Sequence, residues 1–194
     1  MAYIANTAFE ARITNNEFDD LCNIAGKYQE SSADADCSAG LLCVREELLD
    51  CEGFTGVKNE NTWSMIAAAS TATVDDVIYA CNTYDNQLLS SVRGNNYFVG
   101  TETLGLGVPA GRYGTFTRIN FDGYSVYRFG EGNINGTVGT ETFFTIDNGL
   151  LTPAASAPAT AGSIYFELRG SGNFIEGTSE SFGYYDLVAC KVTA

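Results

Sequence analysis

From Thr62 onward the chain is cut into short runs rich in aromatic and β-branched residues: TWSMIAAA, DDVIYAC, NYFVG, GTFTRINF, YSVYRFG, TFFTI, SIYFELRG and YYDLVACKVT. Each is too short for an ordinary helix, and turn dipeptides such as Asp122-Gly123, Asn135-Gly136 and Asn148-Gly149 fall between them. Within GTFTRINF the residues alternate, with Phe116, Arg118 and Asn120 opposing Thr117, Ile119 and Phe121. Such runs with frequent turn signals predict about eight antiparallel strands closed into a β-sandwich or barrel over residues 61–194. Alternating strand and helix signals, the mark of a parallel α/β sheet, are missing.

Residues 1–60 have a different texture, polar and acidic, and they predict a short helical N-terminal region preceded by an acidic arm. In NNEFDDLCNIAG, Phe18, Leu21 and Cys22 fall near helical spacing, with Asn15 or Asn16 as cap and Gly26 as stop. A second amphipathic helix is predicted over CSAGLLCVREELLDC, residues 37–51. There Ser38 caps it, Leu41, Val44 and Leu48 share one face, and Gly53 suits the position past its end. The loop QESSADAD separates the two, and LTPAASAPATAG, residues 151–162, reads as a low-complexity surface loop. The domain division is thus 1–60, arm and helical region, and 61–194, β domain.

Charge narrows the function classes. The 194 residues carry a formal net charge of −14, shared between both parts of the chain. That field repels phosphate backbones and anionic lipid heads, which predicts no nucleic-acid and no membrane partner, and it keeps an abundant protein soluble. No run of 18 apolar residues is present to span a bilayer, and the first residues, MAYIANTAFEARITNNEFDD, lack the basic and apolar segments of a signal peptide. Folding in a reducing cytosol is expected, where disulfides are rare. Histidine is absent, which removes Ser-His-Asp and Cys-His nucleophile systems and imidazole metal sites.

The remaining motifs fail on geometry. The glycine run Gly105-Leu-Gly107-Val-Pro-Ala-Gly111 is followed by a strand signal, not by the helix that a dinucleotide fold requires, so it reads as a turn. DADCSAG resembles the start of an EF-hand loop, but counted from Asp34 its glycine falls at position 7 and Arg45 at position 12, where a bidentate Glu belongs. Carboxylate pairs such as Asp19-Asp20, Glu46-Glu47 and Asp75-Asp76 diverge on either a helix or a strand, and solvated charge explains them. Carbohydrate binding or glycosidase chemistry stays open as an alternative, since aromatic residues are plentiful and two suitably spaced acids suffice. Arg112, Arg118, Arg128 and Arg169 pair internally, meet a neighbouring subunit, or guard strand edges. Cys37, Cys43 and Cys51 lack the paired spacing of a zinc site. With Cys81 and Cys190 closing strands, they read as packed free thiols, a late disulfide being the alternative. No residue is assigned a catalytic, cofactor-binding or metal-ligating role, and no cofactor is expected.

Taken together, the opening MAYIANTAFEARITNNEFDDL, the cysteine-bearing region and the β segment TLGLGVPAGRYGTFTRINFDG resemble small virion structural proteins of tailed bacteriophages. Within that group the chain looks most like a head decoration, or auxiliary capsid, protein. The resemblance implies a non-enzymatic protein that binds the assembled major capsid lattice from outside. It also implies a small homo-oligomer, a trimer by expectation, located in the virion and assembled in the host bacterial cytoplasm. Tail tube and minor capsid proteins are the variants within the class.

Overall fold

The computed structural model describes residues 4, 6–13, 23–51, 53–82, 107–176 and 180–193. Fourteen strands are found among them. In chain order they are β1 (Phe9–Ile13), β2 (Asn23–Glu30), β3 (Ala33–Asp34), β4 (Cys37–Ser38), β5 (Leu42–Cys51), β6 (Phe54–Ala67) and β7 (Ile78–Cys81). They continue with β8 (Gly107–Val108), β9 (Gly114–Arg118), β10 (Val126–Gly130), β11 (Phe143–Asp147), β12 (Leu150–Ala154), β13 (Ile164–Glu176) and β14 (Glu180–Lys191). The mainly β reading stands.

Two β layers pack over one shared core, and a second core fills the interior of one of them. The first is an open antiparallel sheet of six strands, in the order β1-β10-β14-β13-β11-β12. The second runs β3-β2-β6-β5-β7-β9, and an additional pairing of β2 with β9 joins its two sides. Strands β2, β6, β5, β7 and β9 therefore close into a small barrel, in which β2 and β6 are parallel and the other neighbours antiparallel. Sandwich and barrel coexist in this chain.

Each layer follows from side-chain alternation. Leu42, Ile78 and Ala80 point out of the barrel wall onto Phe129, Phe144, Phe166 and Leu187 of the open sheet, forming the larger core. Cys43, Tyr79 and Cys81, one residue along, point inward and meet Tyr28, Met65 and Phe116 in the barrel interior. A barrel this narrow leaves room only for side chains. At Gly26 a Cβ would lie 2.5 Å from Met65 Cγ, so glycine is what lets the methionine fill the centre. The short β4–β8 pair brings Cys37 and Val108 into the same interior cluster.

The predicted helix over residues 37–51 is corrected: the segment is β4, a turn, and β5. Apolar residues at 41, 44 and 48 fit a helical face, but those at 42 and 44 equally fit one face of a strand. Tertiary partners decide between them. Gly40 takes φ of +77° and donates its N–H to Cys81 O at 2.8 Å, while Cys81 N donates to Leu41 O at 3.0 Å. Thus β7 captures the backbone that a helix would have used internally. The first predicted helix falls partly on residues 14–22, outside the described residues, and its end, from Asn23, is strand β2. No α-helix occurs among the described residues. The division at residue 60 runs through β6. Described residues before it, in β1, β2 and β5, sit in the same sheets as those after it.

Two further features were read differently from sequence. Leu150–Ala154, the start of the expected loop, is strand β12. It tolerates Pro153 because it lies at the sheet edge, where one row of N–H groups needs no partner. The NYFVG run lies outside the described residues. Asn148-Gly149 behaves as its sequence predicts: both residues have positive φ, 48° and 78°, and they turn β11 into β12.

A buried asparagine, unremarked in the sequence, ties the layers together. Asn133 is 1% exposed. Its Nδ2 donates to Ala39 O at 2.8 Å, and its Oδ1 accepts from Ala8 N at 3.0 Å and Gly130 N at 3.1 Å. One side chain thus joins the segment before β1, the turn before β5 and the end of β10. Asn133→Leu leaves buried backbone groups unsatisfied, at about 1–3 kcal/mol each. Urea unfolding should show a loss of at least about 3 kcal/mol, whereas Tyr124→Ala, at a residue 72% exposed, should change stability by less than about 0.5 kcal/mol.

Candidate interaction surface

The chemistry-bearing side chains separate into buried structural groups and one exposed projection. Cys37, Cys43 and Cys81 are fully buried inside the barrel, and Cys190 is buried elsewhere; all are free thiols, as is the partly exposed Cys51. The reading of the cysteines as packing groups holds for these four buried residues, with Cys43 on a strand instead of the expected helix, and Cys81 and Cys190 on strands as expected. Burial first, then thiol hydrogen bonding with Cys43 and Cys81, pushes the Cys37 thiol well above its ordinary pKa. Such a thiol is protonated and a poor nucleophile. Among the described residues no cluster of three or more His, Cys, Asp or Glu is arranged to hold a metal ion.

Acidic motifs are engaged in local structure. Asp34 pairs with Lys27 at 3.7 Å and accepts from Gln29 Nε2, and Asp36 accepts Ala110 N at 2.8 Å. Asp76 accepts Thr73 N at 2.9 Å and closes a turn. Gly107 and Val108 form β8, and Arg112 N donates to Pro109 O in the turn that follows, so that part of the glycine run is strand and turn as its spacing implies.

The four arginines part company. Arg128 makes a two-pronged pair with Asp186, both contacts at 2.8 Å, stacks on Tyr184 at 3.7 Å and lies 3.8 Å from Glu10. This cluster staples β1, β10 and β14 across the solvent face of the open sheet. Arg169 pairs with Glu167 at 3.4 Å in an exposed position, where the contact adds little. Arg112 and Arg118 have no ion pair among the described residues.

The projection is the distal part of the β5–β6 hairpin. Beyond Val44, β5 has lost β7, and before Thr62, β6 has lost β2. Residues 45–48 still face Met65 and Trp63, which β2 holds, so it is residues 49–51 and 53–61 that form a two-stranded ribbon braced only by itself. Arg45 stacks on Trp63 at its root, 4.6 Å from the ring centroid. Near the tip Asp50 accepts Gly56 N at 2.9 Å and pairs with Lys58 at 3.1 Å, contacts that hold its carboxyl below the usual range. Two large apolar residues stand in solvent there, Phe54 at 66% and Val57 at 54% exposure. A second exposed feature is a groove of about 370 Å³ lined by Val74, Val77, Arg118, Phe121 and Lys191. The exposed aromatics Phe54, Tyr113 and Tyr124 lie on three separate segments.

No protein-family model, curated protein or solved structure matches the chain. No helix of the described residues is long and apolar enough to cross a membrane.

Two outcomes follow from the buried thiols. Thiol titration should release at least three of the six cysteines only on unfolding, and immediate reaction of all six in native protein contradicts the packing. A raised thiol pKa means the folded state holds its proton more tightly than the unfolded chain. The associated stability is complete below the unfolded thiol value of about 8.5 and declines as pH rises above it. Burial moves Tyr28 the same way. Urea midpoints should fall between about pH 7.5 and about pH 9.5, and fall less in Cys37→Ala.

Proposed function

We propose that the protein is a non-enzymatic structural component of a tailed-phage virion, a decoration protein that binds the outside of the assembled head and stabilises it. The observation that carries this reading is the ribbon. A two-stranded hairpin is marginal in water without further packing, and this one exposes Phe54 and Val57 at its end. An assembling subunit gives such an extension its purpose, because a neighbour covers it.

Other features agree with the reading. A net charge of −14 keeps free subunits apart and away from packaged nucleic acid until a specific lattice site captures them. The two-layer β body, with its strands closed into a barrel or stapled by Arg128, is a rigid platform. Many equivalent lattice sites give strength by avidity, so each contact needs only modest affinity. The proposed partner is the major capsid protein, the proposed location the virion surface, and assembly follows folding in the bacterial cytoplasm.

The test is a binding assay with labelled protein and emptied heads of the encoding phage. Saturable binding to expanded heads, and not to unexpanded precursors, is expected. Protein that ignores expanded heads, yet polymerises alone into rings or tubes, is a tail tube subunit; selective retention on glycan arrays transfers it to the carbohydrate-binding class.

A further inference from the structure

We propose that Asn135 is a site of spontaneous covalent modification, deamidating through a succinimide closed by the Gly136 nitrogen, while the fold holds the other two comparable steps of the chain unreactive. This chemistry needs no partner and is independent of the assembly reading.

Glycine follows an Asn or Asp at three places, Asp122-Gly123, Asn135-Gly136 and Asn148-Gly149. A following glycine matters because its nitrogen must swing onto the side-chain Cγ, and without a Cβ neither the approach nor the backbone torsions are hindered. At Asn135 the Gly136 nitrogen loses its proton to hydroxide and bonds to Cγ. The Cγ–Nδ2 bond then breaks, and Nδ2 takes up a proton and leaves as ammonia. Water adds to either carbonyl of the succinimide and opens the ring, leaving aspartate or isoaspartate at position 135. No electrons are exchanged: an amide and a water become a carboxylic acid and an ammonia.

The fold decides which step can react, because an N–H held in a hydrogen bond is released only when the local structure opens. Gly149 is buried, donates its N–H to Ala68 O at 2.8 Å and accepts Leu42 N at 2.8 Å. A Cβ built there would lie 2.8 Å from Leu42 O, so the peptide has no room to swing. Gly123 donates its N–H to Ala189 O at 3.0 Å. The Asp122 carboxylate beside it is fixed by Tyr124 N at 2.8 Å, Ser125 N at 2.7 Å and Ser125 Oγ at 2.8 Å.

Gly136 is the opposite case. Its N–H has no hydrogen bond among the described residues, nor do those of Thr137 and Val138. The Asn135 side chain is exposed and likewise makes no hydrogen bond among the described residues. A Cβ built at Gly136 would meet only Pro153 Cδ, at an ordinary 3.7 Å. Asn135 N itself donates to Leu151 O at 2.7 Å, so the chain is anchored up to Asn135 and free just after it. The electrophile is thus held in place while the attacking nitrogen can move. The product adds one negative charge to an exposed turn, and isoaspartate also lengthens the backbone there by one carbon.

Peptide mapping by mass spectrometry tests this on the full native chain, held in warm, mildly alkaline buffer. An isoaspartate methyltransferase counts isoaspartate in parallel. The Asn135 peptide should gain the mass difference between amide and acid at least ten times faster than the Asn148 peptide, and no isoaspartate should build up at Asp122. In urea-unfolded protein the two Asn-Gly peptides should convert at similar rates, since only the fold separates them. Asn135→Gln should remove most of the isoaspartate formed by native protein and leave the circular dichroism spectrum unchanged. Equal native rates at Asn135 and Asn148 overturn the proposal. So does an Asn135 that stays intact in native protein while the unfolded chain converts, or a rate difference that persists in urea.

Discussion

The structure depends on a wall that is buried from both sides. Strand β7, IYAC, has all four residues buried, and the neighbouring start of β5 matches it. Ile78, Ala80 and Leu42 face the open sheet, while Tyr79, Cys81 and Cys43 face the barrel interior. A polar residue on either face would be removed from water without a partner, which is why the segment has none. The two cores are thereby coupled through one layer of backbone, with the barrel closed on one side of it and the open sheet stacked on the other.

This wall accounts for the cysteines. A strand packed between two cores at close spacing favours small apolar side chains, and a thiol supplies that without a strong hydrogen-bonding demand. Of the residues that look like a reactive cluster in sequence, Cys37 and Cys43 are interior filling, and burial pushes the Cys37 thiol well above its ordinary pKa. It also accounts for the ribbon. Strands β5 and β6 extend well past the partners that anchor them, so a firmly held base carries a projecting hairpin. Rigidity at the base gives the tip a defined position, which an interaction surface needs and a flexible tail lacks.

Legibility in the sequence divided along physical lines. Seven of the eight predicted runs correspond to β6, β7, β9, β10, β11, β13 and β14, where aromatic and β-branched residues between turn dipeptides leave little choice. Asn148-Gly149 announced its turn through backbone freedom that few residues share. The misread segment around Leu41 to Leu48 satisfies helical and strand periods together, and the choice was made by hydrogen bonds from Gly40 and to Leu41 across to β7. Strand β12 was hidden by Pro153, whose tolerance depends on edge position, a property of the sheet and not of the segment. Asn133 carried little local signal, because two of its three partners, Ala8 N and Ala39 O, lie on distant segments.

By itself the sequence determined the class of fold and the sign of the surface: alternating short runs with turn signals make strands, and an excess of acids over bases makes an acidic exterior. Those properties are local or additive, so they survive without knowledge of neighbours. Only the tertiary structure decided that five strands close into a barrel while six stack against its wall. It alone sent Cys37, Cys43 and Cys81 inward, left Arg118 and Lys191 with no ion pair among the described residues, and carried Phe54 out to the end of a ribbon. Each of these is set by which strand lies beside which, and pairing between distant segments is information that no single stretch of sequence contains.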